Sequence, residues 1–335
     1  MSTSLPDGPI AGPIAGPIAG PVAGPVAGPV ADVPVGFSSR SLTARDARAV
    51  YEVMAQQEIV DIGMAEIEEA DIVGDWQRPS FDVSASTVGV FDGDLLVGYA
   101  EVSGSDRGDA AVLPTYRGRG IGTWLASWMQ ELARKRGSPI IGMPVPEGSA
   151  GDLLLTALGY QVRWTSWVLK LPRGARIVER SLPPGYALRA ARSDEHDAVH
   201  EVVEDAFLEW SDRERESFAD FAAVTVRRPG FEPWHLRVVV DPLGSVVGAA
   251  HVSVFADQDP SEGEAYISRL AVRRDQRGRG LAQALMVDAF ARAREHGAET
   301  SGLSTDSRTG ALGLYEKVGM TVTSTWVHRA ISLEH

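Results

Sequence analysis

The stretch Arg273–Met286, RRDQRGRGLAQALM, decides how this chain is read, because it is written nearly twice: residues 113–126 run LPTYRGRGIGTWLA. Arg117 and Arg277, Gly120 and Gly280, Gly137 and Gly297, and Gly159 and Gly319 are each 160 positions apart. Landmarks kept in register without a gap indicate a duplicated domain, and a period this long is not that of a solenoid of small repeats. Working outward, each copy follows a strand-like run, DAAVLP at 109–114 and AYISRLAV at 265–272, and opens a helix. In the first copy Ile121, Leu125, Trp128, Met129 and Leu132 recur at helical spacing. Lys135, Arg136 and Gly137 then mark its end.

The flanking segments repeat the same order. The first unit starts near Val35 with the strand FSSRSL and a helix from about Thr43, whose hydroxyl and Asp46 form a capping pair. The strands STVGVFD and DLLVGYAEVSG follow, separated by an Asp92-Gly93 turn. Residues 171–185, LPRGARIVERSLPPG, read as a linker. The second unit gives the strand YALRAAR, a helix after Ser193, the hairpin LRVVVD and SVVGAAHVSVF, the strand AYISRLAV and a helix over Leu281–Glu295. TSGLST, a short helix in TGALGLYEKVG and the β segment MTVTSTWVHRAISL close it. The expected fold is α/β, a mixed α+β sheet in each of two tandem domains, 35–172 and 186–335, joined by 173–185. Each is of ordinary single-domain size.

At 335 residues, 44% hydrophobic and 23% charged, the chain can bury two cores. A formal net charge of −13 argues against a nucleic-acid partner, which needs a basic face. The absence of cysteine excludes disulfides, thiolate metal sites and a cysteine acyl-enzyme. No run approaches the ~20 apolar residues of a membrane helix, and no signal pattern opens the chain. The expectation is a cytoplasmic protein without a membrane partner, a monomer or a dimer. Residues 8–31 repeat Gly-Pro-Ile/Val-Ala six times. A period of four is not collagen, and proline at every fourth place blocks helix and sheet, so 1–34 are expected to form a disordered tail. The closing LEH reads as a tag remnant, so His335 carries no argument.

A strand, an Arg/Gly loop and an amphipathic helix form the geometry of an anion cradle. N–H groups at a helix start point outward unpaired, the dipole adds partial positive charge, and glycine lets a diphosphate approach. Arg277 and Arg279 are placed to add charge-assisted bonds. A Walker loop is excluded for lack of Gly-Lys-Ser/Thr, and a dinucleotide Gly-x-Gly-x-x-Gly fails at Gln283. What remains is Arg-x-x-Gly-x-Gly/Ala: Arg277, Gly280 and Ala282, matched by Arg117, Gly120 and Gly122.

On these loops, and on ALGLYEKVGM before the closing strand, both halves resemble the GNAT superfamily of acyl-CoA-dependent N-acyltransferases, across about residues 35–335. The tandem arrangement also resembles that of mycothiol synthases. The resemblance implies acetyl-CoA, or another acyl-CoA, as co-substrate and no metal. Its diphosphate would lie on Arg277, Gly278, Arg279, Gly280, Leu281 and Ala282, and in the first copy on Arg117, Gly118, Arg119, Gly120, Ile121 and Gly122. Leu270, Ala271 and Val272 would hold the thioester carbonyl and pantetheine, and Tyr315 would protonate the departing thiolate. At the 160-residue offset Tyr315 meets Leu155, which has no proton to donate, so catalysis is expected in the second unit and a degenerate site in the first.

Where many relatives carry a basic glutamate, this chain has Tyr266. Glu264, on the same strand face, reads equally as the general base, through water relayed by Ser268 or Tyr266, and as a strand-end carboxylate in solvent. Ser307 stands where close relatives often show asparagine. Without cysteine, direct attack in a ternary complex is the expected route. The acceptor is expected to be a small-molecule amine. Residues 194–220 hold eleven acids against Arg213 and Arg215, with Asp205 and Glu209 as candidate contacts, although a solvated helix face explains most of these acids. His196 and His200 have the spacing of a metal pair but no third ligand, and Trp124, Trp128, Trp164 and Trp167 read as packing residues. Transfer of a longer acyl chain to a natural-product or peptide amine, and a CoA-binding sensor or scaffold without catalysis, are the alternatives.

Overall fold

The computed structural model describes residues 32–211, 213–255 and 263–333. The Gly-Pro repeat at 8–31 and His335 lie outside the described residues. The first repeat supplies β1 (Ser38–Arg40), α1 (Ala47–Ile62), α2 (Glu69–Trp76), α3 (Val83–Ser86), β2 (Thr87–Asp92), β3 (Leu95–Ser103), β4 (Arg107–Val112), α4 (Ile121–Lys135), β5 (Ile140–Pro146), α5 (Ala150–Ala157) and β6 (Gln161–Leu171). The second supplies β7 (Ala187–Ala190), α6 (His196–Phe207), α7 (Phe218–Ala223), β8 (Leu236–Val240), β9 (Val246–Phe255), β10 (Gly263–Val272), α8 (Leu281–Glu295), β11 (Ala298–Asp306), α9 (Leu312–Lys317) and β12 (Thr321–Ser332). Mixed α/β architecture is therefore present in both.

Each strand is where its side chains require it. The run LRVVV of β8 is buried at every position, as expected of a strand covered on both faces. The helix α4 turns Ile121, Trp124, Leu125, Met129 and Ala133 into the core of its unit, at the spacing that predicts it. Strand order is β1-β2-β3-β4-β5 in one unit and β7-β8-β9-β10-β11 in the other. The pairs β4–β5 and β10–β11 are parallel. Their neighbours β3–β4 and β9–β10 are antiparallel.

The two compact units do not coincide with the two repeats. One holds 32–165 together with Trp326–Leu333, and the other holds Ser166–Thr325. The sixth strand position beside β11 is filled by the second half of β6, with Leu171 opposite Ser301 and Ser166 opposite Asp306. Beside β5 it is filled by the second half of β12, with Trp326 opposite Pro146 and Ser332 opposite Ile140. Each unit thus completes its sheet with a strand segment from the other repeat. The 173–185 segment, expected to divide two domains, lies within the second unit, and Ile177 packs into that unit's core at 6% exposure.

Candidate functional site

The glycine loop of the second unit turns through Gly278 and Gly280, at φ 77° and 75°; in the first unit Gly118 and Gly120 are at 76° and 84°. These are left-handed angles that a Cβ disfavours, so the local sequence is dictated by the turn itself. Gly280 and Gly120 are the N-caps of α8 and α4, and the first helical bonds are Ala284 N–H to Gly280 O and Trp124 N–H to Gly120 O, both 3.0 Å. The amides of Leu281, Ala282 and Gln283, like those of Ile121, Gly122 and Thr123, precede the first turn's bonds and form the donor set of an anion site. A Cβ on Gly278 or Gly118 would meet nothing within 4 Å, so both loops are open on that side. The residues present therefore fit a diphosphate.

Arg277, expected to face the anion, is held elsewhere. Its Nη atoms donate to both oxygens of Glu209 at 2.8 and 2.7 Å, and its Nε donates to Val272 O at 3.1 Å. Arg117 makes the same fork to Asp61, at 2.9 and 2.8 Å. In both units the arginine fastens the loop to the segment at the end of the first long helix, a role invisible in the sequence because the two acids do not keep the 160-residue spacing. Arg279 is exposed and donates to Tyr186 Oη at 3.1 Å, while Arg119 lies over the Tyr116 ring at 4.7 Å.

Between β10 and β11, pairing stops at Ile267 opposite Leu303. Beyond it, Arg269–Val272 pair on one side only, with β9. Arg273 N–H donates to Val247 O at 2.9 Å, and bonding alternates along an antiparallel strand. The amides of Leu270 and Val272 therefore point away from β9, into the gap where the strands part. In the first unit β4 and β5 pair only at Arg107 opposite Gly142, so an equivalent gap exists. There, however, Gln57 Oε1 accepts from Val112 N–H at 3.0 Å, at the position matching Val272. Tyr315 is fully buried in the cluster that also holds Leu270, Leu281, Ala282 and Val272. Its counterpart Leu155 is a packed core residue.

Glu264 is not in solvent. Its Oε2 accepts from Lys170 Nζ at 2.5 Å, and its side chain is 14% exposed. Tyr266 packs against Phe255, ring centroids 5.9 Å apart. Ser268 is the extra residue of a β-bulge, since Ile267 faces Val252 and Arg269 already faces His251. Its Oγ lies 2.7 Å from His251 Nδ1. Burial, reinforced by the neighbouring Arg269, pushes the His251 imidazole well below its ordinary range, so it is neutral at pH 7. The sequence signal for this pair was a single histidine inside the apolar run VVGAAHVSVF.

The acidic segment proposed to meet the amine is largely engaged. Asp205 is ion-paired with Arg215, Glu204 with Arg213 at 2.8 Å, and Glu209 with Arg277. Asp205 and Glu209 are thus already bonded to guanidinium groups rather than presented to an acceptor. His200 is buried, with Nε2 at 2.9 Å from Glu216 O and its ring 5.2 Å from that of Phe221. Among the tryptophans, Trp124 is in the core and Trp164 stacks on His328 at 3.7 Å. In the first unit three carboxyl groups are raised, each chiefly by removal from water: Glu58 and Glu101 to about 7 and Asp109 to about 6. Glu101 and Asp109 face one another across β3 and β4, and Trp76 Nε1 donates to Glu101 at 3.0 Å. No described helix is long and apolar enough to cross a membrane.

The model of the acetyltransferase (GNAT) family matches the chain twice, at 49–146 and 196–320. A mycothiol acetyltransferase of Salinispora arenicola is 33% identical over 249 residues, covering 70% of this chain and 76% of that protein. A GCN5-related N-acetyltransferase structure from Sphaerobacter thermophilus superimposes with a TM-score of 0.67 at 25% identity, covering 90% of this chain and 98% of the other. A tandem GNAT protein from the clavulanic acid biosynthesis pathway shares the fold at the same TM-score, with 19% identity, 89% of this chain and 99% of that one. With both matched regions enclosing a glycine loop, a parted strand pair and a helix start, the chain belongs to the GNAT family of N-acetyltransferases, as a tandem member similar to the mycothiol acetyltransferases.

Proposed function

We propose that the chain transfers the acetyl group of acetyl-CoA to a small-molecule amine in the cytoplasm, with the chemistry confined to the unit of Ser166–Thr325. The observation that carries this reading is Tyr315. At the 160-residue offset this phenol is matched in the first repeat by a hydrocarbon, Leu155, and Tyr315 shares a buried cluster with both the strand gap and the helix start. The name of the Salinispora relative supports an acceptor of small-molecule size.

Acetyl-CoA, when bound, supplies the thioester. The amides of Leu281, Ala282 and Gln283 hold its diphosphate, and those of Leu270 and Val272 receive the carbonyl oxygen as it gains charge. The amine nitrogen attacks the carbonyl carbon, the C–S bond breaks, and Tyr315 gives its phenolic proton to the thiolate. In the first unit Gln57 holds the amide of Val112, which supports binding without turnover there. Tyr315→Phe tests the assignment by thiol release: kcat is expected to fall roughly 100-fold with the KM for acetyl-CoA nearly unchanged. Wild-type turnover by that variant would overturn it.

A further inference from the structure

An ammonium acceptor must lose a proton before its nitrogen can attack, and Glu264, bonded to Lys170 at 2.5 Å, meets an approaching amine as half of a salt bridge. We propose instead that Ser268 and His251 form the route by which the acceptor's proton leaves.

The geometry rests on the bulge. An extra residue in β10 at the point where it parts from β11 turns Ser268 and Arg269 toward the same face, the one covered by α6 and α7. Arg269 lies over the Phe221 ring there at 5.4 Å, and Glu216 is 3.8 Å from it. Ser268 is two residues from Leu270, whose amide points into the gap; at about 3.3 Å per residue the two are roughly 7 Å apart along the strand. A carbonyl accepting from the Leu270 amide and an amine about 3–3.5 Å from its carbon on the α6–α7 side fit within that distance. Ser268 is half-buried, so its hydroxyl is reachable, whereas His251 behind it is only 4% exposed.

The proton count is simple. Ser268 Oγ accepts one proton from the ammonium and passes its own to His251 Nδ1, 2.7 Å away. The neutral amine then attacks; the C–N bond forms and the C–S bond breaks. Tyr315 protonates the thiolate, and the second N–H proton restores Tyr315. His251 later returns its proton to solvent through Ser268. The charged groups acting on the imidazole are Arg269 on β10 and His235 and Arg228 ahead of β8; the titratable groups of the elements packed on this face are His200 and Glu204 on α6, Asp220 on α7, and Glu216, 3.8 Å from Arg269. Burial, with Arg269 beside it, disfavours the imidazolium, which suits a relay that passes the proton on rather than a store. His251 acts through Ser268 and is a positioning residue; Ser268 is the group that touches the amine.

The proposal rests on the acetyltransferase reading of this unit, and its test separates the two. Thiol release from acetyl-CoA is followed for the full chain with a panel of small primary amines, between pH 6.5 and 9.5. Ser268→Ala and His251→Gln are compared with wild type, and calorimetric titration with acetyl-CoA and thermal melting run in parallel. Each variant is expected to bind acetyl-CoA as wild type does and to lose roughly 100-fold in kcat at pH 7. The loss should shrink as pH rises toward the amine's own pKa, where solvent has already removed the proton. A defect equal at every pH, or wild-type kcat throughout, overturns the relay while leaving the acetyltransferase reading standing. If His251→Gln unfolds the protein, Ser268→Ala decides alone. A wild-type chain that releases no thiol with any amine defeats the reading beneath the proposal, and the proposal with it.

Discussion

At Gly280 the backbone turns left-handed, and Arg180 Cδ lies 3.1 Å from where a Cβ would stand; at Gly278 the space is open. Alanine at either position incurs the left-handed penalty of about 1–2 kcal/mol, but only at Gly280 must a neighbour also give way. Gly278→Ala and Gly280→Ala should therefore both lower the melting temperature, and Gly280→Ala should weaken acetyl-CoA binding more in calorimetric titration. Equal affinities would mean that the turn's exact path is unimportant to the anion. The glycines were legible in the sequence because a left-handed turn writes itself as Gly. The partner of Arg277 was not, because Glu209 lies far back in the chain and only folding brings the two together.

Among the elements, β3 and β4 make the clearest energetic statement. They set Glu101 opposite Asp109 with Trp76 above, and burial lifts Glu101 to about 7. A carboxyl whose folded pKa is raised favours the folded state fully below its unfolded value of 4.5, and that contribution is lost as pH climbs through about 7. Glu58 and Asp109 act in the same direction. The first unit should thus be more stable at pH 5 than at pH 8. Glu101→Gln keeps an acceptor for Trp76 and should remove part of that slope, gaining up to about 3 kcal/mol at pH 8 in urea melts. An unchanged slope in the variant would show that Glu101 ionises without penalty. Strand alternation and helix spacing made these elements readable in advance. The bulge at Ser268 was not, since it exists only as a mismatch between β10 and β9.

On the scale of the whole molecule, duplication was plain from a spacing kept over four landmarks, whereas the exchange of final strands left no trace. A strand edge does not record which sheet it completes, and the proline-rich 171–185 segment marks a loop without saying whose core receives its ends. Trp326–Ser332 supply the strand beside β5, the ring of His328 stacked on Trp164, and an ion pair from Arg329 to Asp152. A chain ended at Thr325 should lower the unfolding temperature of the first unit in calorimetry while Ser166–Thr325 still bind acetyl-CoA. An unchanged thermogram would mean that the added strand contributes nothing.

The same exchange sets a timetable for synthesis. As the chain leaves the ribosome, the first unit is made early, but the segment that seals β5 is encoded beyond the entire second repeat. Its sheet therefore waits with an open edge until translation has passed through its twin. Neither half of the gene, cut between the repeats, specifies a finished domain.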